Sequence, residues 1–378
     1  MYDRQLAQSI ENDLEKNQKV VVVYGPRQVG KTTLIKAILK RFPKQFLSIN
    51  ADETKYHGVL SSCDLVQLNG LIDGYDGIFI DEAQRVPNIG LTLKLLHDEL
   101  PDFRVIATGS SSFDLANRVQ EPLTGRSWTY TLHPLSVLEL RKQFTPFELR
   151  NQLTHLLVYG SYPDVLNQTA WVAKERTLRN LAEAYLYKDI LEMLSLKKSN
   201  QLELLLRLLA HQIGSEVSLS ELGRQLGLSK ETVGHYIDLL EKSFVIFRLP
   251  GFSRNLRNEL SKMDKIYFVD VGIRNAVLRD FTPLDQRLDI GPLWENFMLS
   301  ERRKTLGYLD SSAQMYFWRT YAKSEIDYIE THNQAISAVE FKWKNKEAKP
   351  PKAWVEGYPT APFQTVHPDN FVSFLCGR

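Results

Sequence analysis

The sequence predicts an α/β protein. A parallel sheet with a phosphate-binding loop comes first, helices follow, and a second, smaller α/β unit closes the chain. Three observations predict this. The apolar run at residues 20–23 leads into Gly25-Pro-Arg-Gln-Val-Gly-Lys-Thr32 and then into helical spacing at residues 33–40. A second run, Gly77-Ile-Phe-Ile-Asp-Glu82, is apolar until it ends in two acids, as a strand buried on both faces does. Near the C-terminus, residues 314–320, 324–330 and 335–343 read as successive strands.

The first of these stretches has the context of a Walker A loop, strand then glycine loop then helix, and so predicts a P-loop NTPase. A triphosphate carries dense negative charge, so its site must offer donors without bulk. Gly25 and Gly30 let the backbone curl, and Pro26, Arg27, Gln28 and Val29 fill the loop between them. The helix that starts near Lys31 adds its positive end. Lys31 is expected to reach the β and γ phosphates of ATP, Thr32 to hold Mg2+, and Thr33 to close the binding stretch.

The remaining nucleotide-site candidates follow in chain order. Asp81 is expected to hold Mg2+ directly or through water, and Glu82 to polarise the attacking water, which makes the chain a hydrolase rather than a passive binder. Residues 103–112 read as a strand running into a small polar loop, with Thr108 or Ser110 positioned between the acids to sense the γ-phosphate. In Leu123-Thr-Gly-Arg126 an arginine follows a flexible glycine. It is expected to reach a γ-phosphate of its own subunit or of a neighbour, a surface arginine being the alternative.

Composition bounds the rest. A chain of 378 residues holds two or three domains. A net charge of +2 gives no overall basicity, so nucleic-acid binding must come from local patches. Cys63 and Cys376 lie far apart without metal-ligand spacing and read as reduced thiols of a cytoplasmic protein. The first residues lack the features of a signal peptide, and no apolar run is long enough for a bilayer, so no membrane partner is expected.

Four segments emerge: an ATPase domain at 1–140, a helical lid or linker region at 141–212, a winged helix at 213–255 and a restriction-endonuclease-like domain at 256–378. In the helical region Leu202, Leu205, Leu206 and Leu209 recur at helical period. For the winged helix, Ser218 caps one helix, Gly227 makes the turn and Ser229 caps a second helix that bears Lys230, Thr232, His235 and Tyr236. Residues 244–249 then read as a wing strand. The module docks DNA or, equally, protein, since Glu231 and Asp238 dilute the positive field.

In the last segment Asp327 and Glu340-Phe-Lys342 match the D…(E/D)-x-K layout, the PD-(D/E)xK pattern of nuclease-like folds. Strand alternation puts Glu340 and Lys342 on one face with Phe341 opposite. Asp327 and Glu340 are expected to hold a divalent cation, Lys342 to orient water, and Glu295 to add a carboxylate.

Together these residues resemble the prokaryotic AAA-type ATPases whose C-terminal half, long catalogued as a domain of unknown function, joins a winged helix to an endonuclease-like fold. The resemblance spans nearly the whole chain. It rests on residues 25–34, Ile80-Asp-Glu-Ala-Gln84, Thr108-Gly-Ser-Ser-Ser112, Leu123-Thr-Gly-Arg126, His133-Pro-Leu-Ser136, Tyr159-Gly-Ser-Tyr-Pro163, Trp318-Arg319, Glu325-Ile-Asp327 and Glu340-Phe-Lys342. It implies an AAA-like sheet, ATP binding through residues 25–33 and a cytoplasmic setting. Since such ATPases often form rings, it also admits a homo-oligomer. One departure is Ser161, where the family has a second glycine; a modest backbone adjustment is expected there. Two functions are implied. One is an ATPase coupled to a C-terminal half that acts on DNA. The other is an ATP-dependent switch or partner-binding ATPase in which the nuclease-like fold is catalytically silent.

Overall fold

The computed structural model describes residues 2–109, 123–183, 199–253 and 264–377. Ser110, one of the two expected phosphate sensors, lies outside them. The chain divides into two compact units, Met1–Pro134 with Lys242–Phe244, and Leu135–Glu241 with Val245–Arg378. The first break falls six residues before the expected one at 140.

The first unit is built on five parallel strands: β1 (Val20–Tyr24), β2 (Phe46–Asn50), β3 (Gly77–Asp81), β4 (Arg104–Gly109) and β5 (Ser127–Thr131). Their order across the sheet is β2-β3-β4-β1-β5. All five residues of β1 are buried, which is why its sequence shows no alternation. Ile78, Ile80, Val105 and Ala107 share a core with Leu93 and Leu96 of the helix Ile89–Glu99. β4 lies between β1 and β3, with Val23 opposite Thr108 and Ile80 opposite Ala107. The C-terminal ends of all three strands therefore meet at one edge, where ligands of open parallel sheets bind.

In the second unit the helices Pro146–Tyr159, Trp171–Leu181 and Ser199–His211 pack on the helix Val271–Leu278. The expected helical lid is thus a packed part of this unit. Helices Leu219–Leu226 and Lys230–Lys242 follow, joined through Gly227 in the left-handed region at φ 66°. The Ser218 and Ser229 hydroxyls accept the Glu221 and Thr232 backbone N–H groups at 3.3 and 3.1 Å. Strands β6 (Ile246–Leu249) and β7 (Lys265–Phe268) form an antiparallel hairpin, and Glu216 bridges to Lys265. One expectation needs correction here: a boundary at 255/256 would cut this hairpin in two. Lys230, Thr232, His235 and Tyr236 lie on the second helix, where Tyr236 is buried on the apolar stripe with Val233, Ile237 and Leu240.

The chain ends in a four-stranded sheet preceded by the helix Ile290–Tyr308. β8 (Gln314–Arg319), β9 (Glu325–His332) and β10 (Ala335–Phe341) are antiparallel neighbours. The helix Lys352–Gly357 then crosses over to β11 (Phe363–Val366), which pairs with β10 in parallel.

A buried polar junction ties this unit together. Gly160 has φ 69°, and a Cβ there would lie 2.0 Å from an Asp270 carboxylate oxygen. Asp270 accepts the backbone N–H groups of Ser161 and Gly272 at 2.8 and 2.9 Å. The Ser161 hydroxyl donates to Asp270 at 3.2 Å and accepts from Lys304 at 3.1 Å. Ser161 is outside the left-handed region, so serine costs no backbone adjustment and its hydroxyl is put to use, contrary to expectation. Asp270→Ala should destabilise the chain by about 3 kcal/mol or more, since it strips several buried donors at once, while Ser161→Gly should cost about 1 kcal/mol. Urea unfolding of the two variants checks the ranking.

Candidate functional site

The phosphate loop turns out of β1 through backbone that L-residues rarely adopt: φ is 148° at Gly25, 59° at Gln28 and 94° at Gly30. At Gly25 the cause is steric as well, because a Cβ would meet the Leu132 carbonyl oxygen at 2.1 Å. Gly30 caps the helix Lys31–Arg41, which puts Lys31, Thr32 and Thr33 in its first turn, beneath its free N–H groups. Lys31 is buried, and its ammonium donates to the carbonyl oxygens of Gly25 and Pro26 at 2.9 and 2.8 Å. Arg27 and Gln28 lie at the turn, and Val29 beneath them is fully buried.

Thr32, Asp81 and Thr108 form one relay. The Thr32 hydroxyl donates to one Asp81 carboxylate oxygen at 2.7 Å, and the Thr108 hydroxyl donates to the other. Asp81 ends β3, and Thr108 sits near the end of the adjoining β4. Thr32 and Asp81 together present hard oxygen donors beside the loop, the chemistry that Mg2+ requires, so these residues fit that ion. Glu82 adopts φ 52°, a conformation that costs a non-glycine residue about 1 kcal/mol. Its carboxylate accepts the Gln84 side-chain amide at 2.5 Å.

Arg126 does not join this group. It immediately precedes β5, which runs parallel to β1, and its carbonyl accepts the Val20 N–H at the start of β1. The arginine thus lies at the opposite edge of the sheet from Gly25, a strand length of about 16 Å away at the usual rise per residue. Its guanidinium pairs with Asp98 at 2.7 Å.

Sequence reading missed Arg4. Its buried guanidinium donates to the Val29 carbonyl at 2.8 Å and to the His133 carbonyl at 2.5 Å. It therefore braces the phosphate loop against the segment after β5. No motif marks an arginine that acts across 25 and 129 residues.

The second unit gathers another charged group. Glu295 from the helix Ile290–Tyr308, Asp327 from β9 and Glu340 from β10 lie at one end of the terminal sheet, with Lys342 just beyond β10. Lys342 donates to Glu340 at 2.6 Å, and the Phe341 N–H donates to Asp327 at 2.8 Å. Glu295 instead accepts from Lys265 at 3.1 Å and from the Tyr267 hydroxyl, both of β7. Lys265 also pairs with Glu325, which Arg319 approaches at 3.5 Å. Burial, reinforced by the Glu295 and Glu340 carboxylates, pushes Asp327 well above the usual carboxylate range. Burial lowers Lys265, but Glu295 and Glu325 outweigh it and hold the ammonium above its ordinary value.

Among the described residues no three carboxylate, histidine or cysteine side chains converge to hold a metal ion. Glu295 and Glu340 nonetheless lie near enough to Asp327 for their charges to act on it. Glu295 is turned toward Lys265 and Tyr267, and the cation it faces is an ammonium. Lys265 and Tyr267 were not singled out from the sequence, and Glu325 entered only as part of the Glu325-Ile-Asp327 motif.

Comparison with known proteins follows this division. Residues 17–141 match a family described as AAA domain; residues 150–284 and 290–366 match two domains of unknown function, DUF8612 and DUF4143. An uncharacterized protein of Mycobacterium tuberculosis is 28% identical over 317 residues, covering 82% of this chain and 67% of its own length. Another, of Methanocaldococcus jannaschii, is 25% identical over 349 residues, covering 85% and 75%. The Walker-type ATPase of Pyrococcus abyssi superposes with a TM-score of 0.52 at 17% identity, over 74% of this chain and 96% of that one. The chain thus carries an AAA-type domain on a P-loop ATPase fold. Among the described residues no helix is long and apolar enough to cross a membrane.

Arg4→Met should weaken nucleotide binding about tenfold, the worth of one buried charge-assisted hydrogen bond, with little change in kcat. Titration of a fluorescent ATP analogue together with steady-state turnover checks this split.

Proposed function

We propose that this protein binds and hydrolyses ATP and couples turnover to a C-terminal half that acts on DNA through a winged helix and a catalytically silent, nuclease-like fold. The relay of Thr32, Asp81 and Thr108 beside Lys31 carries the ATPase reading. The helix N-terminus and Lys31 bind and orient the phosphates. Glu82, from its left-handed backbone, takes the proton of the water that attacks the γ-phosphorus as ADP departs. Thr32 and Asp81 would hold Mg2+ when it binds, and the ion would supply charge neutralisation at the triphosphate. Thr108 shares Asp81 with Thr32 and so communicates the state of that carboxylate to β4.

Lys31→Ala should abolish nucleotide binding, while Glu82→Gln should retain binding and lose turnover by about a hundredfold or more. Calorimetric binding and phosphate-release assays separate the two, and normal turnover by both variants would refute the ATPase reading.

The winged-helix part of the reading is supported by the helix pair at 219–242 followed by the β6–β7 hairpin. The nuclease-like part is supported by the order helix, three antiparallel strands, helix, parallel strand, with Glu295, Asp327 and Glu340 on the first helix and on β9 and β10. Its silence is supported by Lys265 among the carboxylates. That topology also favours a second reading, cleavage of DNA at Asp327, Glu340 and Lys342. Plasmid DNA incubated with the protein and Mg2+ or Mn2+ should stay intact. Cleavage that disappears in Asp327→Ala would instead establish the second reading.

A further inference from the structure

Residues 342–352 carry five lysines and one glutamate, in a chain whose net charge is only +2. This segment leaves β10 directly after Phe341 and crosses toward the helix Lys352–Gly357. It is fixed at alternate points. The Lys342 N–H donates to the Val366 carbonyl at 2.9 Å. The Trp343 ring meets Trp294 edge-on at 5.8 Å between centroids. The Asn345 side chain donates to Asp369, and the Ala348 N–H donates to the Thr365 hydroxyl, at 2.8 and 2.9 Å. Lys344 and Lys346 between these anchors, and Lys349 just past the last of them, are exposed, and none of the three is in an ion pair among the described residues.

Holding a loop in place usually serves to bury it, yet here the anchors hold ammonium groups out in water. The nearby acids do not cancel them. Asp369 is met by Arg150 at 3.6 Å, which leaves exposed Glu347 as the one acid within the strap. The β8–β9 hairpin leaves the same end of the sheet and carries Tyr321, fully exposed, beside exposed Lys323. Anchored, unpaired lysines with a bare aromatic ring at the same end of the sheet suit a polyanion that also has flat faces, which is a nucleic-acid strand.

We propose that residues 342–352 form a phosphate-binding strap, in which Lys344, Lys346 and Lys349 contact the backbone of a DNA strand and Tyr321 packs against its bases. The assignment rests on the DNA reading above and names the residues that carry it. It requires no bond breaking, so it is independent of whether the chain cleaves DNA.

The test measures binding of a fluorescein-labelled DNA with a single-stranded tail by anisotropy across a salt series, using the full-length protein. The triple variant Lys344→Gln, Lys346→Gln, Lys349→Gln should lower the slope of log K against log salt by about 2 to 3, close to one counterion per lost phosphate contact. Tyr321→Ala should weaken binding to the tail about tenfold at an unchanged slope. A control of equal charge change, Lys36→Gln, Lys40→Gln, Lys142→Gln, should leave the slope unaltered. All variants should keep the parent melting temperature and ATP turnover, as exposed positions outside the nucleotide site. If the parent binds no DNA, the DNA reading itself falls and the strap with it. If the parent binds but the strap variant keeps its slope, or the control lowers it equally, the strap alone is refuted.

Discussion

A lysine ammonium removed from water must be met by oxygen, and Lys265 of β7 meets this demand with carboxylates from two other elements, Glu295 and Glu325. Removing one member of such a group strands the other charges and costs about 3–5 kcal/mol. The contact therefore fixes how the β6–β7 hairpin, the helix Ile290–Tyr308 and β9 stand within the second unit. It also decides the chemistry of that corner. Glu295 gives its hydrogen-bonding capacity to the ammonium and to Tyr267, while its charge still bears on Asp327.

The same demand is met differently twice more. Lys304 finds Glu301 at 2.7 Å, the Ser161 hydroxyl and the Leu135 carbonyl, so its charge is balanced inside the fold. Lys31 gives hydrogen bonds to two carbonyl oxygens of the phosphate loop. Both carbonyls belong to the phosphate loop, so the lysine and the loop hold each other in place.

How much of this was legible in the sequence depended on whether the information was local. β1 and β3 could be read because burial on both faces writes an uninterrupted apolar run, and the phosphate loop because its glycines, lysine and threonine are contiguous. The insertion of β4 between β1 and β3 is a tertiary choice with no local trace. The bracing by Arg4 and the capture of Glu295 by Lys265 likewise join residues far apart in the chain. For Arg126 the own-subunit alternative could have been set aside from the sequence, because a residue just before a strand of a parallel sheet lies at the end away from that chain's own ligand, however flexible the glycine beside it.

Gly25 has two separate reasons to be glycine, and only one concerns nucleotide. Its left-handed backbone shapes the loop, but the Leu132 carbonyl also occupies the space of any side chain. Gly30 meets nothing within 4 Å and owes its identity to its backbone angle at the head of the helix. The two positions should therefore age differently in descendants that abandon ATP. Residue 30 would drift toward asparagine or aspartate, which tolerate such angles, once the pressure to cradle phosphate is gone. Residue 25 would stay glycine for as long as the sheet itself survives. A glycine retained at the first position of this loop is thus a record of the fold, and only the second is a record of the ligand.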